Sequence, residues 1–428
     1  MNQRKGVLLV DNVISLSRTN IRLRERREIN LLLANKKYLP YMIVTEPVLL
    51  NKPHEFFRTK SFEDQRIEIY YVPNLVIGSL SSNRKLSKFG KLMFGLCNLF
   101  LQSVYFLHLT LLVLSLTLVK DIDLIHAHNP PDLTGLVSLL VSRVTKVPYV
   151  FEIHDRTPEL YCGEMGFAQT SMVYKLMKSI ERVVITNSSG LITVNECVAE
   201  YFKLFGGPIP IAIYTGTQID VKNLGKIPLD NQKIQNKRVI LYQGSLNMTS
   251  IGKSAMYDLT LPLNAMPYIL NNVPDTVLVY VGDGSGRLKL EEMTRSMGLI
   301  DKVVFTGFIS QKQVFDWIRI ADVVLVPYAD NPNNYTTVPS KLYEYMAVGK
   351  PIVATRFLGI LEILANEHNG LLYKVGSINE FTNLVLRILN NSKLAERLAL
   401  NAKLDFVSKY SIEKNWPKLI LLYDSITA

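Results

Sequence analysis

Short apolar runs alternate along most of the chain with longer segments in which apolar residues recur every three or four positions. This is the pattern of parallel strands joined by helical crossovers. Two such series are present. The first predicts strands at 7–10, 42–45, 67–72, 124–127, 149–153 and 191–194 and closes near 210–214. The second predicts strands at 239–242, 277–281, 303–305, 323–326, 352–354 and 371–373, with helices from about 380 finishing the chain. Between them, residues 216–236 are polar, contain Gly225 and Pro228 and have no period, which marks a linker. The expectation is two α/β domains, 1–215 and 237–408.

One stretch breaks the alternation. The 28 residues from Leu92 to Val119 include no Lys, Arg, Asp or Glu, a length that as a helix would cross a bilayer at about 1.5 Å per residue. The predicted strands on either side belong to one domain, however, and a crossing would split it between two compartments. Asn98, Gln102, Ser103, His108, Thr110, Ser115 and Thr117 also make the stretch more polar than most spans. Arg84, Lys85, Lys88 and Lys91 precede it, a basic cluster suited to anionic headgroups. A membrane-associating region near 84–119, lying in the interface, fits both facts. It points to an acceptor carried on a lipid.

A second stretch, 339–355, carries chemistry. Pro339 and Ser340 predict a helix start with the Ser340 hydroxyl as cap, Gly349 a left-handed end, and Pro351 a stop, so the helix runs over about 341–348. Leu342, Tyr345, Met346 and Gly349 share a core-facing side. Lys341 and Glu344 share another. A phosphate at this amino terminus would meet Ser340, backbone N–H groups and Lys341, and Glu344 one turn on would accept from two neighbouring sugar hydroxyls. Pyrophosphate at the tip and ribose on the carboxylate describe a nucleoside diphosphate. The other reading of Glu344 is a solvated surface carboxylate.

Composition narrows the classes. With 428 residues, 48% of them hydrophobic, the chain can fill two or three cores. Cys97, Cys162 and Cys197 are widely spaced and odd in number, against a disulfide framework or zinc site of the CxxC kind. The first residues hold only a four-residue apolar run before Asp11, too short for a signal peptide, so a cytoplasmic location is expected. The formal charge of +11 implies an anionic partner. No zinc-finger, RNP or helix-turn-helix signature accompanies it, so nucleic acid is not expected.

The 339–355 segment resembles the donor-binding signature of the family 4 retaining glycosyltransferases, glycosyl transferases group 1. Val281-Gly-Asp-Gly284, Val304-Phe-Thr-Gly-Phe308, Ala321-Asp-Val-Val-Leu-Val-Pro-Tyr328 and Asn369-Gly-Leu-Leu372 extend the resemblance across the C-terminal half. In the N-terminal half the likeness is looser, at Arg26-Arg-Glu-Ile-Asn-Leu-Leu-Leu33, Asp123-Leu-Ile-His-Ala-His128 and Phe151-Glu-Ile-His-Asp155. The family implies the GT-B fold, two Rossmann-like parallel-sheet domains facing across a cleft. It also implies that a last helix, within 409–428, packs back on the N-terminal, acceptor-binding domain. His154 matches the histidine that the family places beside the reacting sugar. Phe308 lies where the family contacts the nucleobase, and the Gly282, Gly284, Gly286 turn would border the donor pocket. Gly244 and Lys253, in the loop after the second domain's first strand, would serve the diphosphate. His126, His128 and Asn129 end another strand and are candidates on the acceptor side.

The family implies no bound metal and no cofactor beyond the nucleotide-sugar co-substrate, with basic groups and a helix terminus balancing the diphosphate. Asp121-Ile-Asp123 has the letters of a metal-binding DxD but the setting of a helix-to-strand turn. There are two departures from the family's pattern. Thr336 stands where a second glutamate is usual, and the 243–253 loop has no arginine. The leading expectation is transfer of a hexose from UDP- or GDP-sugar to a lipid-linked or polysaccharide-precursor acceptor at the inner membrane face. A GT-B sugar-nucleotide epimerase and a non-catalytic nucleotide-sugar-binding subunit are the alternatives.

Overall fold

The computed structural model describes residues 4–11, 23–35, 37–49, 61–64, 67–76, 88–129, 132–165, 168–214, 216–217, 234–248 and 256–428. Lys253 and most of the proposed linker therefore lie outside the described residues. So do Arg84, Lys85 and the side chains of Lys88 and Lys91.

The first sheet has eight strands: β1 (Lys5–Asp11), β2 (Tyr38–Leu49), β3 (Ser61–Asp64), β4 (Ile67–Val76), β5 (Ile122–His128), β6 (Tyr149–Ile153), β7 (Gly190–Thr193) and β8 (Pro210–Ala212). Their order is β3-β4-β2-β1-β5-β6-β7-β8. All pairs are parallel except β3 with β4, a short antiparallel edge that the hydrophobic pattern does not predict. The second sheet has six parallel strands: β9 (Arg238–Gln243), β10 (Thr276–Val281), β11 (Val303–Phe305), β12 (Val323–Val326), β13 (Ile352–Thr355) and β14 (Leu371–Tyr373), in the order β11-β10-β9-β12-β13-β14. In each sheet the order reverses beside the first strand, between β1 and β5 and between β9 and β12. Ligands of such sheets bind at that reversal, beyond the strand carboxyl ends.

Each sheet is buried on both faces. In β1, Leu8 and Val10 join one core with Phe151 and Leu191, while Val7 and Leu9 join the other with Leu124 and Ile192. In the second sheet Val277 and Val279 face one core, Leu278 and Tyr280 the other. The final helix, Pro417–Ile426, belongs to the first domain: Trp416, Leu419 and Tyr423 fill the core beside Val7 and Leu9. The chain thus starts and finishes in the same domain.

The uncharged stretch forms most of one helix, Lys88–Val119. Tyr105, Leu109, Val113 and Leu116 are buried against the first sheet, and the Tyr105 hydroxyl meets Thr45 Oγ1 at 2.7 Å. It is thus a domain helix with its two flanking strands in one sheet, which is incompatible with a simple crossing. Its opposite side is also apolar, with Phe100, Leu107, Leu111 and Leu118 exposed.

Candidate active site

The helix predicted around Glu344 spans Ser340–Val348 and ends at Gly349 with φ 75°. Its cap differs from expectation. Pro339 occupies the N-cap position with no side-chain cap bond, which makes Ser340 the first helical residue. The helix is also more enclosed than an amphipathic reading implies, since every residue from Lys341 to Ala347 is buried, Lys341 at 5% exposure and Glu344 at 8%. A solvated carboxylate is not what the structure contains.

Lys341 explains the enclosure. Its ammonium lies 4.1 Å from the Tyr242 ring centre and 3.8 Å from that of Tyr257, a two-sided cation–π clamp. It makes no hydrogen bond among the described residues. Burial holds its pKa down, to about 7, with the Glu344 carboxylate pulling the other way. A lysine kept dry, without a hydrogen-bond acceptor, at a helix amino terminus has the chemistry to receive an anion.

Gly244 roofs this site. It has φ 136°, and a methyl group on it would sit 2.7 Å from Lys341 Nζ. Gly282, at the end of β10, has φ 138°, and a methyl there would fall 2.1 Å from the Gly244 carbonyl oxygen. The two strand-end turns therefore meet backbone to backbone, tied by Gly244 N–H to Val281 O at 2.9 Å. A cavity of about 330 Å³ opens beside them, lined by Gln243, Gly244, Gly282, Asp283, Phe308 and Ile309. Phe308 stands 91% exposed on its rim.

Across the cleft, His154 follows β6 and is partly exposed. Its Nε2 lies 3.1 Å from His128 Nδ1 and 3.4 Å from Glu152 Oε1. Asn129 holds it in place. The Asn129 carboxamide accepts from the His154 backbone N–H at 2.7 Å and donates to Asp155 O, Asp132 Oδ1 and Thr157 Oγ1 at 2.8, 3.1 and 3.0 Å. Asn129, His126 and His128 are all buried. This corrects their expected role: none lines the acceptor side in this structure, and they support His154 from beneath.

The two halves touch at the cleft. Asn333 donates to Asp155 Oδ1 at 3.3 Å, and Asn195 to the Thr336 carbonyl at 2.7 Å. Glu362 accepts the backbone N–H groups of Glu196 and Cys197 at 2.8 and 2.9 Å, and the Tyr214 hydroxyl at 2.7 Å. Thr336 is half-buried at this seam, its hydroxyl enclosed without a hydrogen-bond partner. Asp123 of the DxD sequence accepts the Gly6 N–H at 2.6 Å, a bond within the sheet.

Residues 230–405 match the family model described as glycosyl transferases group 1, and residues 101–213 match a glycosyl transferase 4-like domain. The chain is a group 1 glycosyltransferase. An uncharacterized glycosyltransferase of Methanocaldococcus jannaschii is 29% identical over 68% of this chain and 73% of its own. An Escherichia coli enzyme, UDP-Gal:alpha-D-GlcNAc-diphosphoundecaprenol alpha-1,3-galactosyltransferase, is 23% identical over 70% of this chain and 75% of its own. Among solved structures, a sucrose-phosphate synthase of Thermosynechococcus elongatus superposes with a TM-score of 0.70 at 16% identity, covering 99% of both chains. Anabaena HepE in complex with UDP gives 0.66 at 16% identity, covering 98% of this chain and 100% of its own. The glycosyltransferase has the GT-B architecture.

Several residues of this glycosyltransferase's cleft went unread in the sequence. Tyr242 is visible only as the last apolar residue of a strand, and Tyr257 follows a loop without pattern. Their pairing over Lys341 is a product of tertiary packing. Asp155 offered one signal, a polar residue just after a strand in a parallel α/β series.

Proposed function

We propose that the protein transfers a sugar, with retention, from a UDP- or GDP-sugar to a lipid-linked or polysaccharide-precursor acceptor at the cytoplasmic face of a membrane. The observation that carries the donor half is Lys341, a buried ammonium without a hydrogen-bond partner beneath the Gly244 turn. The diphosphate rests between that turn and the amino terminus of the 340–348 helix, where Lys341 and backbone N–H groups, not a bound cation, meet the leaving charge. Glu344, one turn on, takes the ribose hydroxyls, and the base occupies the cavity beside Phe308. His154 faces the sugar from the first domain. The complexes of HepE with UDP and with UDP-glucose support a nucleotide-sugar donor. A ligand that binds only the folded state raises its melting temperature by mass action. One of a panel of UDP- and GDP-sugars should therefore stabilise the protein by several degrees in a thermal shift assay. A flat response to the whole panel would remove the donor assignment.

The acceptor half is supported by the outer side of the first domain and by the E. coli relative, whose acceptor is named as a diphosphoundecaprenol. The helix Lys88–Val119 packs beside Leu133–Thr145, and that helix beside Met172–Asn187. The three expose Phe100, Leu107, Leu111, Val144, Met172 and Leu176. Exposed Arg143, Lys175 and Arg182 lie on the same helices, with Lys146 just past the end of one. Apolar side chains with basic residues among them suit an anionic lipid interface. The purified protein should float with anionic vesicles at low salt, and Leu107→Glu with Leu111→Glu should leave it at the bottom of the gradient. Failure of the unmodified protein to float would exclude this surface as a membrane contact.

A further inference from the structure

Beneath His154 lies a cluster that sugar transfer as described does not use. It joins Glu28, on the helix Leu23–Asn35, with His126 and His128 of β5 and Glu152 of β6. Two of the chain's six histidines are in it, with His154 against its edge. All four residues are buried, and each presents one ligating atom within 4.8 Å of the other three.

The distances describe a coordination shell. His126 Nε2 lies 3.2 Å from Glu152 Oε2 and His128 Nε2 3.4 Å from Glu28 Oε2. With metal–ligand bonds of about 2.0–2.2 Å, a tetrahedral zinc ion holds its ligand atoms roughly 3.3–3.6 Å apart. Glu28 Oε2 and His128 Nε2 are enclosed and face one another at 3.4 Å, outside ordinary hydrogen-bond geometry. A gap of that size between two buried ligating atoms is the one that an ion bound to both would set.

Charge balance points the same way. Glu28 and Glu152 both form ion pairs with the histidines. Two protons on the rings would neutralise two carboxylates, yet the His126 and His128 rings are stacked with centroids 4.3 Å apart and 28° between planes. Charging both sets like charges face to face. One divalent cation supplies the same charge with both rings neutral. His126 is already oriented for it: Nδ1 meets Glu28 Oε1 at 2.7 Å and the Tyr423 hydroxyl at 2.6 Å, leaving Nε2 directed at Glu152. A hydrogen-bond partner on the far nitrogen of a ligating imidazole is usual in metal sites, and the Tyr423 hydroxyl supplies one.

We propose that Glu28, His126, His128 and Glu152 form a structural site for a divalent transition cation, zinc by its mixed imidazole and carboxylate donors and tetrahedral spacing. It lies in the first domain, across the cleft from the diphosphate site, and takes no part in leaving-group departure. The bound ion ties the first helix to β5 and β6, and through Tyr423 to the last helix.

Full-length protein purified without added metal is stripped with a chelator, desalted, and titrated with zinc chloride or cobalt chloride. The expected result is one ion per chain by elemental mass spectrometry, a rise in melting temperature, and the intense visible bands of tetrahedral cobalt(II). All three should be absent in a Glu28→Gln, Glu152→Gln variant. Unmodified protein that retains no zinc and shows no shift in melting temperature overturns the site, and so does stoichiometric cobalt with an octahedral spectrum or binding that survives in the variant. None of these readouts depends on transferase activity.

Discussion

Lys341→Met should make the protein more heat-stable and nearly inactive. The methionine keeps the length and fills the slot between Tyr242 and Tyr257 without asking a charge to leave water. The unfolded chain binds a proton on Lys341 up to the ordinary lysine range, whereas in the folded protein burial lowers the pKa to about 7. Between those limits the unfolded state holds more protons, so the stability of the unmodified protein rises with pH from about 7 toward 10.5. Below the folded pKa that stability is missing. The methionine variant should lack this slope and exceed the parent most at neutral and acidic pH. Its activity should fall by roughly 10²–10³ in kcat, the usual loss when one group facing developing negative charge is removed. A variant with unchanged turnover would remove Lys341 from the site.

The same group gives donor binding a pH signature. A diphosphate next to Lys341 favours the ammonium, so binding above the pKa takes up a proton and weakens as pH rises. Calorimetry in buffers of different ionisation enthalpy would read the uptake directly.

Glu344→Ala should lower kcat/KM for the donor by roughly 10²–10⁴, because two hydrogen bonds to a carboxylate are worth about 1.5–3 kcal/mol each. Its fold should survive. The helix keeps its apolar contacts through Leu342, Tyr345 and Met346, and alanine is the best helix former. Thermal unfolding near that of the parent with donor turnover lost is the expected pair of results. Parental turnover would show that the carboxylate is not the ribose ligand.

The architecture was legible in sequence because buried parallel strands announce themselves. Runs such as Val323 to Val326 are apolar on both sides, too short for a helix, and bounded by turn residues. The edge strand β3, Ser61–Asp64, is polar and has no such signal, being defined only by its partner. Glu344 and Lys341 stood out because a charge in an otherwise apolar helix needs a reason. Thr336 stood out only against the family's pattern. Asn129 was misread because a polar residue at a strand end looks the same whether it faces a substrate or braces the next loop, and only its hydrogen bonds to the residues around His154 separate the two. His126 and Glu28 are nearly a hundred positions apart, and no periodicity announces a contact of that kind.

The return of the last helix to the first domain gives the molecule a mechanical property. Because the chain enters the second domain once and leaves it once, the cleft is spanned by two covalent connections. Two connections limit the relative motion of the domains more than a single one would. The Glu362 contacts with the 196–203 helix also join the two domains. On the proposed donor site, closing of the cleft would carry His154 toward the sugar.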